Sequence, residues 1–332
     1  MVSDRSKQLG LPGCLRIEPV AEHHTPLDPP LPPPVPAATI KAGVHVHMFS
    51  SPDVQNQLAS LGSKLAGALI VNDYGLANKL AQSGCKYVVH RNTDGENSYE
   101  PLDGSMGDLD RGRGMWQKLG RPQAANLDPR VYIMIGNESN SPRDGFYWLG
   151  QMMAATEEGR KLAIFANSVG HPNAWEVDGK WVSDTWQHRV DSGCMRYGKN
   201  TGHLANLHQY GKHDIYGKPL SDPGSAIYPD GHRDDGAYKW FGGRHVKVWQ
   251  DVIPEDSRMK IIVGECGPAD ATYRGVDTLM SDYKGYQTRY GNDPYIVAYC
   301  YWTLSGHGAL GWEFSSFDGA LPSIVSWLQG GI

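Results

Sequence analysis

The chain has 332 residues, a formal charge of −5 and a hydrophobic content of 40%. That length can bury a large core in one barrel-sized domain or two ordinary ones. The mild acidity gives no long-range attraction to phosphate backbones or anionic lipid, and no run of about 18 apolar residues occurs. Nucleic-acid and membrane partners are therefore not expected.

Residues 1–41 hold nine of the 22 prolines, most of them in TPLDPPLPPPVP. Such a stretch favours extended polyproline and cannot build a core, so it reads as a linker or extension, with the folded domain spanning 42–332. The opening residues, MVSDRSKQLGLPGCLRIEP, lack the basic start and apolar stretch of a secretory signal, which leaves the compartment open. Five cysteines (14, 85, 194, 266 and 300) form no CxxC pair. Cys85, Cys266 and Cys300 abut apolar runs and read as small buried hydrophobes with free thiols.

From Gly43 onward, short β-branched runs alternate with amphipathic stretches. The expected strands are Val44–Phe49, Ala68–Asn72, Lys86–Arg91, Val131–Gly136, Leu162–Asn167, Leu204–Gln209, Lys260–Gly264 and Tyr295–Trp302. Helical spacing appears at Val54/Leu58/Leu61, at Leu76/Leu80 before Gly84, and at Phe146/Leu149/Met153 behind Ser141-Pro142. It recurs at Val182/Trp186/Val190, Val246/Trp249, Leu279/Tyr283/Tyr286/Tyr290, and Ile324/Leu328. After the third strand the pattern is weak, and Met115/Trp116/Leu119 is the best helix candidate. Eight strands alternating with helices predict an α/β fold, a (β/α)₈ TIM barrel. A doubly wound sheet would place a Gly-rich phosphate loop after the first strand, where MFSSPDVQ has none.

In such barrels chemistry gathers at the C-terminal strand ends. Those ends carry His47, Asn72-Asp73, His90-Arg91, Asn137-Glu138, Asn167-Ser168, His208 and Tyr210, Glu265 and Trp302. A barrel built only for stability has no reason to gather polar groups there. Glu138 and Glu265 close strands four and seven, so they face one another across the mouth. A carboxyl pair about 5–5.5 Å apart is what retaining glycoside hydrolysis needs, one as nucleophile and one as acid/base. The 17 Tyr and 10 Trp, against 6 Phe, suit surfaces that meet partly polar ligands such as sugars. Three long loops open on the same mouth. Residues 92–111 are polar and acidic, 211–235 carry Tyr216, Tyr228 and His232 ahead of Trp240, and 305–320 carry Trp312.

The strings IMIGNESN (133–140), HQYG (208–211), IIVGECG (261–267) and YCYWTL (299–304) resemble the clan A glycoside hydrolases, from about residue 43 to the C-terminus. The resemblance implies Glu138 as acid/base, Glu265 as nucleophile, and a carbohydrate substrate, with a β-linked glycan the first expectation. It implies further that Asn137 bonds the sugar 2-hydroxyl, that Tyr210 orients Glu265, and that Trp302 floors the cleaved position. Arg91 or His90 would help keep Glu265 anionic, and His208, His47 and Asp73 complete the expected substrate-binding set. No cofactor and no catalytic metal is expected. Two rivals remain. One is a metal-dependent amidohydrolase-type barrel using His45 and His47, whose i, i+2 spacing points both rings the same way. The other is a non-catalytic carbohydrate-binding barrel.

Overall fold

A computed structural model of the chain describes residues 39–47, 50–94, 102–138, 141–167, 174–211, 244–268, 275–304 and 317–330. The proline-rich stretch and most of the 211–235 and 305–320 loops lie outside these residues, with Tyr216, Tyr228, His232, Trp240 and Trp312.

Eight parallel strands form one sheet: β1 (Ala42–His47), β2 (Gly67–Val71), β3 (Tyr87–Arg91), β4 (Tyr132–Met134), β5 (Ala163–Asn167), β6 (Leu204–Gly211), β7 (Lys260–Pro268) and β8 (Ile296–Leu304). Their order is β4-β3-β2-β1-β8-β7-β6-β5. The two edge strands meet through a parallel bridge between Ile133 and Leu162, and Glu138 N donates to Ala166 O at 2.9 Å. The sheet therefore closes on itself as a (β/α)₈ barrel, each strand lying within a few residues of its expected place.

The helices are α1 (Pro52–Leu61), α2 (Tyr74–Ser83), α3 (Gly107–Met115), α4 (Arg121–Ala124), α5 (Gly145–Glu157), α6 (Asp184–Asp191), α7 (Cys194–Thr201), α8 (Arg244–Asp251), α9 (Val276–Tyr290) and α10 (Leu321–Gly330). Local signals explain their ends. Ser51 caps α1 by accepting from Val54 N, with Pro52 in the first turn, and Gly84 stops α2 in the left-handed region. Val54, Leu58 and Leu61 are buried, each contributing roughly 1.5–3 kcal/mol of apolar burial.

Strand alternation sorts the core into two layers. Leu69, Val71, Val89, Met134, Ile262 and Ala298 belong to the cluster inside the barrel, whereas Val44, Ile70, Val88, Ile133, Ile261 and Tyr299 pack in the cluster that includes the helices. No described helix is long and apolar enough to cross a membrane. Cys85, Cys194, Cys266 and Cys300 are buried free thiols, and Cys14 lies outside the described residues.

Three local expectations need correction. The weak stretch after β3 is helical from Gly107 through a π turn at Trp116–Gly120 into α4, so it absorbs part of the expected 92–111 loop. Its glycines hid it, and they have a packing reason. A Cβ on Gly112 would lie 2.0 Å from Tyr147 O, and one on Gly150 of α5 would lie 2.0 Å from Leu109 O. The two helices thus approach backbone to backbone. Second, α5 starts at Gly145, and it buries Tyr147, Trp148, Gln151, Met152 and Ala155 rather than the face of Phe146, Leu149 and Met153. With apolar residues on nearly every side, periodicity could not choose its inner face. Third, Val182 belongs to a hairpin (Trp175–Val177 with Lys180–Val182) ahead of α6, and α7 was not anticipated.

Candidate active site

Two strand irregularities build the centre. Along the β6–β7 pair the register steps between Leu207↔Val263 and His208↔Glu265, so Gly264 is passed over and Glu265 lies directly beside His208. Only glycine fits there. Gly264 N donates to Asn206 Oδ1 at 3.0 Å, and a Cβ would approach that oxygen to 2.3 Å. At the end of β4 the chain turns through Gly136 (φ 88°) and Glu138 (φ 51°). A non-glycine residue in the left-handed region is strained. The Glu138 N–H bond to Ala166 O, on a β5 backbone itself left-handed at Phe165 and Ala166, holds it.

These turns bring both carboxylates to one histidine. His208 Nδ1 lies 3.0 Å from Glu138 Oε1 and 3.4 Å from Glu265 Oε2. Glu138, His208 and Glu265 each present one atom such that all three lie within 4.8 Å of one another. The carboxylates differ sharply in setting. The Glu265 side chain is 7% exposed, with Arg91 Nη1 3.3 Å from its Oε1, whereas the Glu138 side chain is 42% exposed.

Arg91, not His90, is the inward group of β3. His90 faces the helix layer, where its Nδ1 meets Gln123 Oε1 at 3.1 Å and its ring packs on Tyr74. Burial holds its pKa down to about 4, against the opposing effect of its hydrogen bond to Gln123 Oε1. The structure therefore does not bring His90 to the cleft.

His45 and His47 both point inward, as their spacing implied, and each ring has its own surroundings. His45 Nδ1 meets Thr303 Oγ1 at 3.0 Å and its Nε2 faces Glu265 Oε1 at 3.7 Å. Burial, then the charges of His47 and Arg91, push its pKa well down, which keeps the ring neutral. The His47 pKa is also lowered, first by burial and then by Arg91. Among the described residues, the group able to hold a metal ion contains neither ring. Trp302 packs against His45 and His47, with ring centroids 4.3 and 5.6 Å away.

Asp73 is buried at the start of α2. Its carboxylate caps α2 through Leu76 N (2.8 Å) and accepts from Gln55 Nε2 (3.3 Å), so the structure gives it a helix-capping task. Asn167 is likewise turned outward, accepting from Arg189 Nη1 at 2.8 Å. Asn137 follows β4 with its Oδ1 buried and lacking a hydrogen-bond partner. Tyr210 pairs its backbone with Gly267, and its side chain lies outside the described residues, as does Ser168.

Thr303 and Asn206 were not anticipated. Each acts through a neighbour, Thr303 on the His45 ring and Asn206 on the Gly264 backbone. The only available signal was that they flank or precede residues already singled out.

What the fold and its mouth define is an eight-stranded parallel barrel carrying one buried and one exposed carboxylate on a shared histidine. No family model and no curated protein sequence matches the chain. Among solved structures it is similar to a GH128 subgroup II endo-β-1,3-glucanase from Sorangium cellulosum (12% identity, 86% of this chain and 97% of that one, TM-score 0.45). It is similar also to a GH5-4 broad-specificity endoglucanase from Clostridium longisporum (9% identity, 86% and 87% covered, TM-score 0.45). A third is the β-mannanase of Thermomonospora fusca in complex with mannotriose (16% identity, 84% and 82% covered, TM-score 0.43).

Proposed function

We propose that the protein hydrolyses O-glycosidic bonds with retention of configuration, on a β-linked poly- or oligosaccharide, with Glu265 as nucleophile and Glu138 as acid/base. The observation that carries this reading is the approach of the two carboxylates to within 4.8 Å around His208. Retention calls for carboxyls about 5–5.5 Å apart, and inversion needs about 6.5–9.5 Å to admit a water.

The unequal settings support this division of roles. Glu265 is nearly enclosed, with the Arg91 guanidinium 3.3 Å from its Oε1, so it is held in place as the carboxylate that attacks the anomeric carbon. Glu138 opens to solvent, where it can give a proton to the departing oxygen and later take one from water. In the first step the Glu265 oxygen–carbon bond forms as the glycosidic bond breaks, and the Glu138 proton moves to the leaving group. In the second step water attacks the same carbon, loses its proton to Glu138, and frees Glu265. His208 Nδ1 touches both carboxylates, so it can follow the proton. A protonated Nδ1 donates to a carboxylate, and a bare Nδ1 accepts from a neutral Glu138 carboxyl.

Asn137 Oδ1 has an unmet acceptor for a sugar hydroxyl, and His47 Nδ1 is likewise buried without a hydrogen-bond partner. Trp302 would floor the sugar, and Tyr210 would orient Glu265. The test is labelling with cyclitol epoxides of different sugar configuration, with the adduct located by peptide mass spectrometry. An adduct on Glu265 is expected. With an aryl glycoside, Glu138→Ala should glycosylate but stall, and azide should restore turnover as a glycosyl azide of retained configuration. Azide rescue of Glu265→Ala instead, or an inverted azide from Glu138→Ala, would reverse the two roles.

A further inference from the structure

We propose that Glu138, His208 and Glu265 also form a binding site for a divalent transition cation of the zinc class, and that a cation held there blocks the cleft. Binding stands on geometry alone, whereas the blocking effect rests on the hydrolase reading.

One imidazole nitrogen and two carboxylate oxygens make a borderline donor set, suited to zinc, cobalt, nickel or copper. Magnesium and calcium favour six or more oxygens. The spacing agrees. With metal–ligand bonds of about 2.0–2.1 Å in a tetrahedron, neighbouring ligand atoms stand about 3.3–3.4 Å apart. His208 Nδ1 already lies 3.0 Å from Glu138 Oε1 and 3.4 Å from Glu265 Oε2. The third edge lies within 4.8 Å, and the 42%-exposed Glu138 side chain is the ligand that would adjust it. His208 and Glu265 are buried and fixed on paired strands, so two of the three ligands are preorganised.

A second observation points into the same cluster. His45 Nε2 is fully buried, makes no hydrogen bond, and faces Glu265 Oε1 at 3.7 Å. It is a further ring nitrogen directed at the carboxylate that would hold the cation. Charge favours occupancy as well. Two carboxylates meet across the cleft and outweigh the one guanidinium, Arg91, that lies against Glu265 and opposes a second cation. A cation between them turns carboxylate repulsion into attraction. It also takes the Glu265 lone pair needed for attack and the Glu138 oxygen that carries the proton.

The experiment titrates cobalt(II), as a visible reporter of a zinc-class site, into chelator-treated full-length protein. One equivalent should bind with the intense bands of a low-coordinate nitrogen–oxygen site. Zinc should displace it, and a large excess of magnesium or calcium should not. Glu138→Gln and His208→Gln should each weaken binding by about a hundredfold or more, with thermal unfolding recorded alongside to show that both fold. Glu138→Gln, at the more exposed position, keeps the test decisive if the histidine variant fails to fold. No stoichiometric complex below about millimolar cobalt, or a complex that survives Glu138→Gln unchanged, would overturn the site.

Zinc should also protect Glu265 from cyclitol epoxide labelling. Labelling that zinc does not slow would overturn the blocking role while leaving hydrolysis standing. Cobalt binding on these ligands in a protein that no glycan probe labels would uphold the cation site and sink the hydrolase reading.

Discussion

Acid should unfold this barrel partly through histidines remote from the cleft, alongside the buried His45 and His47 inside it. His203 ties β5 to β6, accepting from Leu162 N at Nδ1 (2.8 Å) and meeting Thr156 Oγ1 at Nε2 (2.9 Å). Burial, aided by the Lys161 charge, holds its pKa at about 4, and burial holds His90 at about 4 as well. In the unfolded chain both return to about 6.5. Between those values the unfolded state binds more protons, so stability is complete above pH 6.5 and falls as pH drops towards 4. A shift of about 2.5 pH units at 1.36 kcal/mol each makes the loss about 3 kcal/mol per histidine, most of it spent by pH 4.5. Asp293 does not confuse this window. Burial opposes its ionisation, but His245 and two backbone N–H groups hold its carboxyl below the ordinary range, so its effect comes below about pH 4. Urea unfolding of the wild type and His203→Gln at pH 7.5 and 4.5 reads the effect. The variant should begin less stable and lose about 2.5 kcal/mol less between the two pH values. An equal loss in both proteins, or a folded His203 ring titrating near 6.5 by NMR, would refute the reasoning.

Three further outcomes follow from the packing. Arg189→Ala should cost about 3–5 kcal/mol in urea unfolding, because the Asp144 carboxylate, bound by Arg189 at two nitrogens and fully buried, would be left unpaired. Gly264→Ala should cost about 1–3 kcal/mol and slow epoxide labelling of Glu265, since the new methyl meets Asn206 Oδ1 at 2.3 Å and Leu69 Cδ1 at 2.7 Å. A normal labelling rate would show that Gly264 does not set the position of Glu265. Thr303→Val removes the hydroxyl from His45 Nδ1 and should cost about 1–3 kcal/mol, while Thr303→Ser should restore most of it. Equal losses in the two variants would point to the methyl group instead.

The barrel was legible because strand and helix periods differ and alternate cleanly from Gly43 onward. The strand-end carboxylates were legible because an apolar run such as VYIMIG carries its next polar residue inward. What stayed hidden depended on three-dimensional approach. Gly112 and Gly150 read as helix breakers until α3 and α5 are seen touching backbone to backbone. His90 and Arg91 are neighbours on one strand, and alternation alone says only that they face opposite ways. Val89 shares the inward face with Arg91, a clue that required knowing which apolar set filled the barrel. Asp73 looked like a cleft residue, though an aspartate three positions before Leu76 at a helix start is as readily a cap.

The closure between β4 and β5 divides the mouth into a stiff side and a soft side. Glu265 stands on β7, with long pairings to β6 on one flank and to β8 on the other. Glu138 hangs from a three-residue strand whose described link to β5 is one isolated bridge and its own N–H bond. Hydrogen exchange should therefore release the Glu138 amide far sooner than the Val263 amide. Breathing at this seam would carry Glu138, the proposed proton donor, and leave Glu265, the proposed nucleophile, where it is. A substrate that wedges the seam apart would accordingly lose protonation of its leaving group before it loses the nucleophile, and leaving-group quality would become the measure of how well a glycan fits.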